Sequence, residues 1–247
     1  MKPALKSEFR KLLTVRSTYI LTGLVIAFLC FIAFYVEGWR LKPDMLSDPK
    51  SLANDVFGGL TLSVFSAVIA ILLMTHEYRY NTITYTLSSS KSRSQVLLAK
   101  VIVISCYALL LTVVIGILSP VMSYLGIHAA GHTLGPQTLH YGDLIWRSLF
   151  YGWAYGMAGL LLAVLIRIQV GAIIAIFVIP GVVESLLAQL LNKNSVYLPF
   201  TALTNVVGDT GIKNISISPA KGALVFTIYL VVGWAVAWYL FIKRDAA

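Results

Sequence analysis

EYRYNTITYTLSSSKSRSQVLLAK, residues 77–100, is the stretch on which the organisation of this chain turns. It is polar and cationic, with Arg79, Lys91, Arg93 and Lys100 set against a single acid, Glu77. Apolar runs flank it, residues 56–75 before and 101–126 after. Each is about as long as the roughly 20 residues a helix needs to cross a hydrocarbon core. The stretch therefore reads as a hydrophilic hairpin between two membrane spans. Thr82, Thr84, Thr86, Ser88, Ser89, Ser90, Ser92 and Ser94 give it a dense row of hydroxyls. Lys91 and Arg93 add charge-assisted donors, so the surface can grip a polar groove. Tyr78, Tyr80, Ile83, Tyr85 and Leu87 are interleaved with these groups. Such residues need a protein surface or the membrane interface to cover them.

Composition carries the reading to the whole chain. Of its 247 residues 58% are hydrophobic and 12% charged, and the mean hydropathy is +0.84. Soluble domains average about 25% charged residues. The expected fold is an all-α integral membrane protein, one transmembrane domain over residues 1–247. Six spans are expected: 17–36, 56–75, 101–126, 144–166, 170–191 and 222–242. The first run lacks a small-x-small exit site and is kept as a span. Spans four and five are joined only by Arg167, Ile168 and Gln169, which makes them a tight antiparallel pair.

Charge sets the orientation. The segments 1–16, 76–100, 167–169 and 243–247 hold twelve of the 19 cations and three of the ten acids. The remaining seven cations and seven acids cancel, so the net charge of +9 lies on one face. That face is expected to be cytoplasmic, with both termini inside. The basic balance thus reports topology and anionic lipid headgroups, not nucleic acid.

Residues 1–16 are expected to form an interfacial amphipathic helix, because Leu5, Phe9, Leu12 and Leu13 recur at helical spacing among Lys6, Arg10 and Lys11. The outer segment 192–221 contains VYLPFTALTNVV, residues 196–207, which is too short to span and suits a re-entrant element. His128, His132 and His140 crowd the second outer loop, but Gly131, Gly135 and Pro136 break the helix that a metal pair would need. No metal site is expected. Cys30 and Cys106 sit in apolar runs and read as packing residues. Glu184 lies in span five, four residues after Pro180. A carboxylate there is either structural, bound to Arg147 or a backbone donor, or part of a passage or gate.

No motif for catalysis is present. The sequence has no GxxxxGK[ST], no HExxH and no GxSxG, so the chain is not expected to be an enzyme or to bind ATP through a P-loop of its own.

The layout resembles the permease subunit of an ABC-2 type ATP-binding-cassette exporter. The hairpin carries the likeness: Glu77, Thr82, Leu87, Ser88 to Ser90, Ser92-Arg93 and Lys100 fall in the family's order. It departs at Asn81 and at Ser89 and Ser90, where Gly and Pro are usual. Leu198-Pro199-Phe200 is similar to an outer motif after the fifth span. The second run has few polar groups (Gly58, Gly59, Thr61, Ser63 and Ser66), which favours an amphipathic drug, peptide or lipid-like cargo, and the resemblance implies a bacterial plasma-membrane exporter. It implies two separate ATPase subunits, which would bind ATP and Mg, and a second permease subunit, identical or homologous. Residues 77–95 would be the coupling hairpin, docking the ATPase through Glu77, Arg79, Thr82, Ser90, Lys91 and Arg93. The pathway or gate would involve Phe57, Leu60, Phe65, Pro180, Glu184, Leu198, Pro199 and Phe200. The rival reading is an ion- or proton-coupled secondary transporter, which should show broken helices in both halves.

Overall fold

The computed structural model describes residues 2–14, 16–40, 64–80, 82–83, 85, 92–132, 141–208 and 216–243. Among them it is all-helical, with no strand. In chain order the helices are α1 (Lys2–Thr14), α2 (Arg16–Phe34), α3 (Val64–Arg79), α4 (Arg93–Ala129), α5 (Tyr141–Ile166), α6 (Gln169–Val178), α7 (Glu184–Leu191), α8 (Pro199–Val207) and α9 (Pro219–Lys243). Among the described residues, four helical stretches are long and apolar enough to cross a membrane: Arg93–Ala129, Ile145–Ile166, Gln169–Tyr197 and Pro219–Lys243. A fifth is reached if the bent pair α1 and α2 is counted as one span. Of the six expected spans, the second is described only from Val64 onward, so its start, with Phe57 and Leu60, lies outside the described residues.

The centre of the fold is α5. Its glycines let neighbouring helices approach closely, as small residues do between membrane helices. A Cβ on Gly159 would sit 2.4 Å from the Ala67 carbonyl oxygen of α3, and one on Gly156 2.7 Å from Ala108 Cβ of α4. Tyr151, Leu160 and Ala163 of α5 join Ala67, Ile71 and Met74 of α3 in the main buried cluster. Leu203 and Val206 of α8 and Phe226 and Leu230 of α9 complete it on the other side. A smaller cluster binds α2 to α3 and α4 through Val25, Leu29, Ile69, Leu111 and Ile115, with Phe65 packed against it.

Two turns deserve mention for what they position. Arg167, with φ +62°, reverses the chain between α5 and α6, as the tight pairing of spans four and five requires. Between α6 and α7, Ile179–Val183 forms a five-residue π turn, closed by the Glu184 amide donating to the Ile179 carbonyl. Pro180 cannot donate an amide and crowds the preceding turn, which explains why the regular helix opens here.

The N-terminal helix forms over Lys2–Thr14. Phe9 and Leu13 are 46% and 65% exposed, while Glu8 is buried and Lys11 half-buried against the helical core. Lys6 and Arg10 are exposed, whereas Lys11 turns inward with Glu8 toward partners of opposite sign.

Candidate functional site

Those partners build the first site. Lys100 Nζ, on α4, lies 2.7 Å from Glu77 Oε1 of α3 and 2.8 Å from Glu8 Oε2 of α1. Lys11 Nζ lies 2.7 Å from Glu77 Oε1 and 2.7 Å from Glu8 Oε1. Each ammonium thus bridges both carboxylates, and the four charges cancel. The Lys100 side chain is 2% exposed. Burying charges costs several kcal/mol per ion, on the order of what a domain can spare, unless each is paired and hydrogen-bonded. Here the alternation of sign pairs each charge, with both ammonium groups on Glu77 Oε1 and Glu77 Oε2 buried without a hydrogen bond among the described residues. Burial pushes the Glu77 carboxyl up, but Lys100 and Lys11 outweigh it and hold the group below its usual range.

The consequence is geometric. Glu77 lies in the last turn of α3 and Lys100 about two turns into α4, so the cluster clamps these two helices together near the 77–100 stretch that joins them. Glu77, expected on the docking surface, is 6% exposed and faces α1 and α4. It is a base for the hairpin. Arg79 and Thr82 are exposed beside it, as are Tyr80 (57%) and Tyr85 (76%). Ile83 is buried at 1% and pins the start of the hairpin. Arg93 opens α4 and donates from Nη1 to the Ile242 carbonyl at 3.2 Å, joining the hairpin's end to the end of α9. The Ser92 hydroxyl caps α4 by accepting from the Gln95 amide at 3.3 Å. Ser90 and Lys91 lie outside the described residues.

The second site is at the opposite end of the bundle, around Glu184. Its residue is 3% exposed. Oε1 accepts from the Phe200 amide at 2.7 Å, and Oε2 accepts from both the Thr201 amide and the Thr201 hydroxyl at 2.7 Å. These amides belong to the first turn of α8, whose orphan N–H groups and dipole favour a negative charge. Pro199 heads that helix and has no amide to satisfy. Of the two partners the sequence allowed Glu184, the backbone donor is the one found. Arg147 instead bonds Asp143 one turn earlier, Nη2 to Oδ2 at 3.0 Å. So Pro180, Glu184, Leu198, Pro199 and Phe200 form one constellation: the π turn carries the carboxylate, and the carboxylate holds the short helix. An aromatic series runs on from it. Phe200 meets Tyr155 of α5 at 5.6 Å and Phe226 of α9 at 6.0 Å between ring centroids.

Two groups that sequence reasoning missed are Glu8 and Lys11 as partners of the hairpin. A weak signal existed: both lie one turn apart on a helix read as amphipathic, and Glu8 is the one acid among the first sixteen residues. Among the described residues no cluster of histidine, cysteine or acid could hold a metal ion, and His140 lies outside them.

The sequence model of a family described as ABC-2 family transporter protein matches residues 4–183. The match runs from α1 through the π turn and includes the whole charged cluster. No curated protein matches the chain.

Proposed function

Because the chain belongs to the ABC-2 transporter family, and is thus a multi-pass membrane subunit of an ATP-binding-cassette transporter, we propose that it is the permease of an exporter in the bacterial plasma membrane. Both termini and the 77–100 hairpin are cytoplasmic in this reading. Two separate ATPase subunits bind ATP and Mg, and a second permease, identical or homologous, completes the pathway. The chain itself carries out no catalysis.

The observation that carries this reading is the Glu77–Lys100 bridge of 2.7 Å. In this reading the bridge couples the two helices that flank the hairpin. Force applied to Arg79, Thr82, Ser90, Lys91 and Arg93 by a docked ATPase is delivered through Glu77 to α3 and through Lys100 to α4. The exposed Tyr80 and Tyr85 supply apolar area for the same contact. Switching between inward- and outward-open packings then needs only rigid-body motion of helices.

Cargo moves along the second expected span, with Phe57, Leu60 and Phe65, and along the broken helix α6–α7. The outer exit is closed by the re-entrant segment that includes α8, held by Glu184. The apolar character of these walls favours an amphipathic drug, peptide or lipid-like molecule over a bare ion. The test is charge reversal at Lys91 and Arg93 together. The expected outcome is loss of ATPase co-purification and of export, with the permease still inserted; retention of both would overturn the docking assignment.

A further inference from the structure

A cavity of about 450 Å³ opens beside the charged cluster, between α1, the start of α2, α3 and the first residue of α6. Its size is within the range of small-molecule sites, about 300–1,000 Å³. Nothing in the family reading uses it, and it does not depend on ATP coupling. The floor is apolar: Leu21 of α2 with Ile69, Leu72 and Leu73 of α3. The mouth is polar, with Lys11, His76, Glu77 and Arg79. From Ile69 to Arg79 the lining climbs about 15 Å along α3, from hydrocarbon-like to cationic.

The charge balance of that mouth decides the ligand. Glu77 and Lys11 are consumed in the neutral cluster with Glu8 and Lys100. Arg79 is exposed and forms no ion pair among the described residues; its guanidinium lies 5.7 Å over the Tyr80 ring. The His76 ring lies tilted against the same ring, with centroids 4.5 Å apart. Thr82 and Gln169 add hydrogen-bonding groups at the rim. The mouth therefore offers one uncompensated planar cation of the kind that binds phosphate by a two-pronged contact. Below it is an apolar slot.

The geometry points to a specific seat for one anionic phospholipid of the cytoplasmic leaflet. The headgroup phosphate lies at Arg79, and the upper part of one acyl chain enters between Leu21 and Leu72. The cavity takes the headgroup and the start of a chain; the rest of the lipid stays in the bilayer. Such a lipid joins α1 and α2 to α3 at the hairpin's base.

The experiment uses the full chain purified in neutral detergent, with phosphatidylglycerol, phosphatidylcholine and inorganic phosphate as probes. Native mass spectrometry counts retained lipid, and thermal unfolding follows its effect. One phosphatidylglycerol per chain should persist and raise the unfolding temperature, while phosphatidylcholine and phosphate at equal concentration should not. Arg79→Gln should weaken retention roughly fivefold, the effect of about one surface cation. Leu72→Trp, which fills the slot, should abolish it; Leu72→Phe is the milder version if the first variant does not fold. Equal retention of phosphatidylcholine would overturn the headgroup assignment. Binding of free phosphate alone would show an anion site without a lipid. Retention unchanged in both Arg79→Gln and Leu72→Phe would show that the lipid sits elsewhere.

Discussion

Lys100 is the residue on which the inner site depends. Its ammonium faces Glu8 and Glu77 in a setting that water scarcely reaches. Lys100→Met would leave two buried carboxylates with only Lys11 between them. Removing one partner from a buried ion pair costs about 3–5 kcal/mol, so the purified variant should unfold at clearly lower temperature. Lys193→Met, at an exposed position, should change it little. Glu77 gives the cluster a pH dependence with a definite sign. Its carboxyl is held below the ordinary value of 4.5, so its contribution is present above that value and lost as pH falls through the lower folded value. The unfolding temperature of the native chain should therefore fall on acidification below about pH 4.5, and the gap to Glu77→Gln should narrow over the same window. Glu184→Gln removes the charge from three short hydrogen bonds and turns one acceptor into a donor facing an amide. A loss of about 1–3 kcal/mol is expected, read as a lower unfolding temperature or faster amide exchange in α8.

At the level of the element, the closest helix crossings rest on the absence of side chains. Gly159 of α5 touches the Ala67 backbone, whereas a Cβ on Gly116 of α4 meets nothing within 4 Å. Gly159→Ala should therefore destabilise by about 1–3 kcal/mol, the cost of overpacking. Gly116→Ala should be neutral or stabilising by up to about 1 kcal/mol, from the better helix propensity. A pair of thermal melts distinguishes them. The two short helices α7 and α8 show a different dependence. Neither has the length to be stable alone, since isolated helices under roughly 12–15 residues are marginal in water. One begins with Glu184 and the other with Pro199, and the carboxylate of the first satisfies the amides of the second. The sequence announced the break through Pro180 and Gly181 and the short apolar run through its length. It did not announce that break and run would meet, because the contact spans sixteen residues and depends on how α8 settles against α5 and α9.

At the scale of the whole molecule, the proposed coupling to ATP has a direct check. Export in membrane vesicles should stop on ATP depletion and persist when the proton gradient is collapsed; the reverse pattern would favour a secondary transporter. Class and family were legible from the chain alone. Runs of about 20 apolar residues have few options in a bilayer, because every backbone amide must be bonded within its own segment. The polar hairpin between two such runs, and the gathering of cations on one side, are likewise properties of local composition that survive any packing. What the sequence could not supply was the partner of each charge. Glu8 and Lys100 are ninety-two positions apart, and their pairing follows from α1 folding back onto the ends of α3 and α4. Only that arrangement turned Glu77 from an expected surface contact into a buried member of the charged cluster. It also drew Glu8 and Lys11 of α1 inward, because a buried charge persists only where it is paired and hydrogen-bonded.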